Sequence, residues 1–412
     1  NRLVYVQNVL KQNVFRTSGQ SEVIVGEDGW LFYSRALDDF LGTSVADETE
    51  VERMGAVVLM MQNYVESRGG EFIFFSAPNK MSVYGEYMPY YYIEDDGRGN
   101  YERLYSELVK AGVNTVQLKN TLSLKKADGV QLYHKLDSHW NNYGAAVAYE
   151  TVANKLSEVY GDEFKGYTRY STMPYSVKNN FSGDLQSMLL PGSDRKDEQL
   201  EFDVSENFEY TDRFRGVDDL VITTSNESKA VDKSVTFFRD SFGNALYWFF
   251  ANDYTSLTAK REIPYNIYQA AEESELVAVE LVERNLRNLL VYTPIVPSLN
   301  LGDDYFSSVV GDAADSDRTA EASVSVMTTT DGLLQVDGSC DALSGYAYIY
   351  LVVEGSGTYQ VLPSEKGADF TLYLESDDAD IFNADFAGKV CSFVVKDETG
   401  YVRIPVNVTL QD

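Results

Sequence analysis

The sequence predicts an α/β domain, with helices on the faces of a central and mostly parallel sheet, followed by an all-β sandwich. Two rhythms and the seam between them carry that prediction. Over residues 1–300, segments of helical and strand-like periodicity alternate, as when each helix returns the chain to a parallel strand. Residues 301–320 are acidic and poor in large apolar side chains, which suits a linker. Residues 321–412 hold seven short alternating segments separated by turns, the pattern of a β-sandwich.

Taken in order, residues 1–20 read as a polar, helix-prone lead-in. EVIVGEDGWLFYS (22–34) sets a GEDG turn between two strand-like runs and predicts a hairpin. Residues 48–68 carry apolar side chains at helical spacing and stop at Gly69-Gly70. EFIFFSAP (71–78) is too apolar to have a wet face and predicts a central strand. The pair repeats, with a helix over 100–112 and a strand at VNTVQL (113–118). After the loop LDSHW, Asn141 or Asn142 caps a helix running to Leu156. Residues 157–233 are rich in Gly, Ser, Asn and Asp and read as a long excursion, with only short strands such as LEFDV and LVITT. SVTFF (234–238), an RDS corner and the helical FGNALYWFF follow, and LVAVEL (276–281) adds a last strand.

At 412 residues the chain can bury two or three full cores. Its net charge, 34 − 64 = −30, argues against nucleic acid or an anionic membrane surface as a partner. Residues 301–412 hold 20 acids and 5 bases, half of that excess. Thirty tyrosines suit sugar-facing or interface surfaces. The two cysteines, Cys340 and Cys391, form either one disulfide or two buried thiols, and spacing does not decide between them. No apolar run reaches the length of a membrane span.

The Asp240-Ser241 corner lies where a strand turns into a helix, so unpaired N–H groups of the first turn flank the serine hydroxyl. Either residue could simply cap the helix. A serine beside such donors also has what an acyl-transfer nucleophile needs, provided a base comes from elsewhere. Only two histidines exist, His134 and His139. His139 lies in Asp137-Ser138-His139, and in extended backbone residues two apart point to one side, so Asp137 can orient it. His134, Asp137 and His139 could also be three metal ligands, but no second acidic or histidine cluster accompanies them. No metal or other cofactor is expected.

LDSHWNNYGA (136–145) and FRDSFGNAL (238–246) do not stand alone. GEDGWLF (26–32), Pro78-Asn79-Lys80 with Val83-Tyr84 and Pro89, FSGDL (181–185) and Glu283-Arg284 accompany them. The set, spanning roughly residues 20–290, resembles the DHHW / alginate O-acetyltransferase (AlgX/AlgJ-like) family of the SGNH hydrolase superfamily, where the Asp-x-His pair precedes the serine. The resemblance implies a three-layer α/β/α domain with Ser241 as nucleophile, His139 as general base and Asp137 as its orienter. It makes the Ser241 N–H an oxyanion donor, with Asn79, Gly183 and Asn244 as further candidates. Lys80 and Tyr84 would line the cleft, and Trp140 either lines it or packs in the core. Arg239 departs from the pattern, standing where the superfamily usually has glycine. It lies either near substrate or against an acid, and Asp240 serves as a cap.

The resemblance further implies acetyl transfer through an acetyl-serine onto hydroxyls of an extracellular polysaccharide or cell-wall glycan. Attack by water instead would make the same residues an acetylesterase, and a silent glycan-binding or scaffold protein is the non-enzymatic reading. The acetyl donor would come from a membrane-bound O-acyltransferase partner. The protein would work outside the cell or at its surface, held by an N-terminal anchor outside this chain. Residues 321–412 would be a carbohydrate-binding or docking module, whose acidity argues against direct contact with a polyanionic glycan.

Overall fold

The structure, a computed structural model, describes residues 20–95, 97–302, 313–365, 367–375, 389–397 and 400–410. The expected lead-in lies almost wholly outside these residues, as does half of the expected linker. The chain enters through a hairpin of β1 (Val23–Val25) and β2 (Leu31–Tyr33), turned at Asp28 and Gly29, both with positive φ.

A seven-stranded sheet organises the first domain. Its strands are β3 (Glu71–Ala77), β4 (Thr115–Val116), β7 (Glu209–Tyr210), β8 (Val221–Ser225), β9 (Val231–Phe238), β10 (Tyr254–Lys260) and β11 (Leu276–Val282). The spatial order is β4-β3-β11-β9-β10-β8-β7; the first five are parallel, and β8 and β7 add an antiparallel edge. A second hairpin, β5 (Tyr175–Phe181) with β6 (Asp197–Phe202), stands apart from this sheet.

Strand alternation divides the core into two layers. Ile73, Phe75 and Ala77 face one layer with the helices Leu118–Lys126, Asn142–Tyr160 and Tyr247–Asp253. Phe72 and Phe74 face the other, with Glu48–Ser67, Asn100–Ala111 and Ile267–Glu273. The helix boundaries follow local chemistry. Asp47 caps Glu48–Ser67 in a reciprocal box with Glu50, and Asn141 caps Asn142–Tyr160 by accepting from two N–H groups. The excursion is less separate than its composition suggests, since β7 and β8 extend the main sheet. Strand β10, inserted between β9 and β8, carries no strong sequence signal.

The C-terminal region, expected as a β-sandwich, is β-rich but built as one continuous sheet. Its strands are β12 (Ala314–Asp315), β13 (Ala320–Thr328), β14 (Leu334–Ser339), β15 (Ile349–Val353), β16 (Gly357–Gln360), β17 (Leu362–Pro363), β18 (Asp369–Leu374), β19 (Cys391–Asp397) and β20 (Gly400–Leu410). The order runs β16-β15-β19-β20-β13-β14-β18-β17, with β12 paired to β20. The two end strands are consecutive in sequence, with only Val361 between them. The sheet therefore rolls until its edges nearly meet, a barrel-like closure around Val336, Leu351, Tyr359, Leu372 and Phe393. Cys340 and Cys391 are buried free thiols in this core.

This domain docks on the helix Glu48–Ser67. Leu333, Leu362 and Tyr373 join the core layer beneath that helix. Arg53 donates to Ser344 O (2.5 Å) and Tyr346 O (2.9 Å), and the Tyr64 hydroxyl donates to Glu375 Oε1 (2.7 Å). No helix among the described residues is long and apolar enough to cross a membrane.

Candidate active site

Parallel strands deliver their C-terminal ends to one edge of the sheet, where open α/β folds gather ligands. Here β3 leads into Asn79-Lys80, β11 into Glu283-Arg284, and β9 into the Arg239-Asp240-Ser241 corner. Asp240 holds the corner in place. Its carboxylate accepts from Phe242 N (2.8 Å) and from Val282 N at the end of β11 (2.9 Å), while its own N–H donates to buried Glu280 (3.0 Å). Burial and the Asp240 charge push the Glu280 carboxyl well above its ordinary value. Ser241 heads the 3-10 turn Phe242–Asn244, and its backbone N–H has no acceptor among the described residues.

His139 arrives on the loop before the helix Asn142–Tyr160. Its Nε2 lies 2.8 Å from Ser241 Oγ and its Nδ1 lies 2.7 Å from Asp137 Oδ1. Asp137 Oδ1 also accepts from His139 N (2.9 Å), and Oδ2 accepts from Asp184 N (2.7 Å). Three hydrogen bonds thus fix one carboxylate against one imidazole. Trp140 Nε1 donates to Phe242 O (3.0 Å), tying the histidine loop to the serine turn from within the core.

Burial raises the Asp137 carboxyl, but the His139 hydrogen bond and charge and the Asp184 N–H outweigh it and hold the group well below the usual carboxylate range. Burial likewise lowers His139, and here the Asp137 hydrogen bond with the charges of Asp137 and Asp184 wins, leaving it above the ordinary histidine value. A histidine base works only when neutral, so activity is expected to rise with pH through a midpoint above that ordinary value. Asp184→Asn removes one charge that holds the proton, so the acid limb of kcat/KM against pH should move to lower pH. An unmoved limb would assign Asp184 no electrostatic part.

Residues that sequence alone left without a role supply the support. Asp184 accepts from Ser138 N (2.8 Å) and Ser138 Oγ (2.6 Å), and Asp197 accepts from Leu136 N (2.6 Å). Both come from the excursion. The Gly-Asp-Leu element was the one signal that could have marked Asp184. Arg284 lies over the rings of Tyr33 (5.4 Å) and Phe242 (5.5 Å) and donates to Asn79 Oδ1 (3.4 Å).

Several expected assignments change. Asn79 is fully buried and its Nδ2 donates to Asp39 (2.9 Å), so its amide is spent away from Ser241. Gly183 is not displaced from its expected part: it lies against the Leu136–Asp137 peptide, where a Cβ would collide with Leu136 O, and its N–H has no acceptor among the described residues. Lys80 does not line a cleft. Its buried ammonium, pushed down to about 7 by burial, donates to Lys135 O (3.0 Å) and Asp137 O (2.8 Å) and braces the loop from below. Tyr84 is also buried, its hydroxyl accepting from Leu132 N (2.9 Å).

Arg239 is 2% exposed and forms no ion pair with an acid among the described residues. Its guanidinium donates to Val217 O (3.1 Å), Asp219 O (2.9 Å) and the Asn244 amide oxygen, and its side chain fills the space beside Gly243. Asn244 donates onward to Asp218 (2.9 Å), so it belongs to this clamp and its amide is not free for an oxyanion. His134 stacks on Phe181 (3.8 Å) while its backbone N–H donates to His139 O (3.2 Å), and burial lowers it to about 4. Among the described residues, Asp137, His139 and Asp184 form the one cluster compact enough to hold a cation, their ligand atoms lying within 4.8 Å of one another. Those atoms are already engaged by the hydrogen bonds of the Asp137–His139 pair and of Ser138.

Comparison with known proteins adds a family. A family model described as SGNH hydrolase-like domain, acetyltransferase AlgX, matches residues 23–228, half of the chain, taking in Asp137 and His139 and ending before Ser241. The probable alginate O-acetylase AlgJ of Pseudomonas putida is 26% identical over 175 residues, 42% of this chain and 43% of that protein. The chain thus matches less than half of that relative's length. Bacillus cereus PatB1 superposes with a TM-score of 0.49 at 15% identity, covering 64% of this chain and 96% of that one. Pseudomonas aeruginosa AlgX does so with a TM-score of 0.40 at 14% identity, covering 93% and 90%.

Proposed function

Because the chain belongs to the SGNH hydrolase-like, AlgX acetyltransferase family, we propose that it is an O-acetyltransferase that passes an acetyl group through Ser241 to a hydroxyl of a polysaccharide. The observation that carries this reading is the relay Ser241 Oγ–His139 Nε2 (2.8 Å) and His139 Nδ1–Asp137 Oδ1 (2.7 Å). Ser241 Oγ attacks the donor's acetyl carbonyl as its proton passes to Nε2. The oxyanion that forms meets the free Ser241 N–H. Collapse expels the donor's leaving group, which takes the proton from Nε2, and an acetyl-serine remains. An acceptor hydroxyl then gives its proton to Nε2 and attacks the ester carbonyl; collapse expels Ser241 Oγ, which takes that proton back from Nε2, and the acetylated acceptor leaves. Asp137 stays ionised throughout and stabilises the imidazolium. The donor, on this reading, is charged by a membrane-bound acyltransferase, and the work is done outside the cytoplasm.

Incubation with p-nitrophenyl acetate tests the first half. Wild type should release a burst of p-nitrophenol and carry one acetyl group on Ser241 by mass spectrometry, and Ser241→Ala should show neither. Equal release by both proteins would refute the assignment. Adding oligosaccharides then separates the two fates of the acetyl-enzyme, acetylated sugar marking a transferase and free acetate alone an esterase.

A further inference from the structure

A cavity of about 280 Å³, lined by neither His139 nor Ser241 but by residues shortly after each in the chain, is used by no step of the acetyl transfer. Its walls continue the two elements that carry the chemistry. Asn142, three residues beyond His139, opens the helix Asn142–Tyr160, and Asn244, three beyond Ser241, closes the 3-10 turn. The remaining walls are aromatic, chiefly Phe202 and Trp248, with the Glu201 carboxylate at the rim. Trp248 is half-buried and held in a fixed orientation. Its Nε1 donates to Glu206 (3.1 Å), and Phe249 and Tyr170 pack edge-on against it at 5.3 and 5.6 Å. No lysine or arginine lines the cavity among the described residues.

We propose that this cavity seats one uncharged sugar ring of the acceptor, a reading that rests on the proposed acetyl-transfer function. A pyranose has an apolar face of C–H groups and a rim of hydroxyls. It therefore suits a rigid aromatic wall flanked by the Asn142 amide oxygen and the Glu201 carboxylate, the Asn244 amide being engaged by Arg239 and Asp218. The volume is near the lower end for ligand sites and matches a single ring better than a chain. Charge selects further. Glu201 is the one charged group on the wall and its carboxylate is already paired with Lys178 at the rim, so the lining offers a uronate carboxylate no free cation, and a neutral ring is favoured over an acidic one. Arg239 gives the cavity its shape. By binding Val217 O and Asp219 O it holds the loop bearing Val217, another wall residue, against the turn that follows Ser241.

The chain carries its own reporter. Of its three tryptophans, Trp30 and Trp140 are 2% and 1% exposed, which leaves Trp248 as the one that a ligand can cover. The full chain carrying Ser241→Ala would be titrated with cellotetraose, tetra-N-acetylchitotetraose and tetragalacturonate while tryptophan emission is followed. At least one neutral probe should give a saturable change and tetragalacturonate none. In the same background, Trp248→Ala, followed by calorimetry, should weaken that binding by about tenfold or more. Val217→Trp, at an exposed rim position, should block it while circular dichroism stays unchanged. No saturable change with either neutral probe overturns the proposal. So does binding of the acidic probe alone, or binding undiminished in both variants. Failure of acetyl-serine formation in wild type would instead strike the transfer reading, since the titration does not depend on chemistry.

Discussion

Asp137→Asn should lower turnover of p-nitrophenyl acetate by about 10³–10⁴-fold while the protein stays folded. The reason lies in the donors that surround this carboxylate. Oδ1 accepts from His139 N and faces His139 Nδ1, and Oδ2 accepts from Asp184 N. An amide in its place has two orientations. With its oxygen towards His139, its NH₂ meets the Asp184 N–H donor to donor, and the loop must shift. With its NH₂ towards His139, Nδ1 becomes an acceptor and the ring proton moves to Nε2, which then cannot take a proton from Ser241. Both orientations also remove the charge that stabilises the imidazolium. Steady-state kinetics beside circular dichroism checks the prediction, and a loss below about tenfold would show that Asp137 is not the orienting group.

Arg239→Ala should cost about 3–5 kcal/mol of stability and reduce acetyl-enzyme formation as well. The guanidinium is the donor for two backbone carbonyls and one amide oxygen, and its removal leaves them unsatisfied beside a new cavity. The 217–219 loop and the Phe242–Asn244 turn lose their common anchor, so the position of Ser241 relaxes with them. Arg239→Lys keeps a cation but cannot span three acceptors in one plane, and should recover only part of the loss. Thermal melting and the p-nitrophenyl acetate burst measure the two effects. A melting temperature within a degree of wild type would contradict the clamp.

The sequence exposed the site unevenly. Runs such as FIFF (72–75) and LVAV (276–279) are apolar throughout because both faces of a central parallel strand are covered, and they were plain. The Asp-x-His spacing and the strand-to-helix corner were legible for a similar reason, since each is a local arrangement read from neighbours in the chain. Tyr254–Lys260 escaped because YTSLTAK mixes hydroxyls with apolar groups, and its place between β9 and β8 is set by tertiary pairing. Asp184 and Asp197 escaped because their partners lie 46 and 61 residues away, and an acid opening a short helix looks like a cap. Arg239 misled for a different reason. A charge at an active-site corner suggests a ligand or an acid, whereas this one is neutralised by backbone dipoles of a loop about twenty residues earlier.

The rolled C-terminal sheet bears on how the protein behaves in company. An open sheet offers unpaired N–H and C=O groups that can recruit the matching strand of another copy, a route to fibres and swapped dimers. Because β16 and β17 are two halves of one stretch at opposite ends of the strand order, little of either margin is left to be recruited. The surplus of 15 negative charges over the linker and this domain, from 20 acids and 5 bases over residues 301–412, adds mutual repulsion. Many copies crowded together would therefore stay separate.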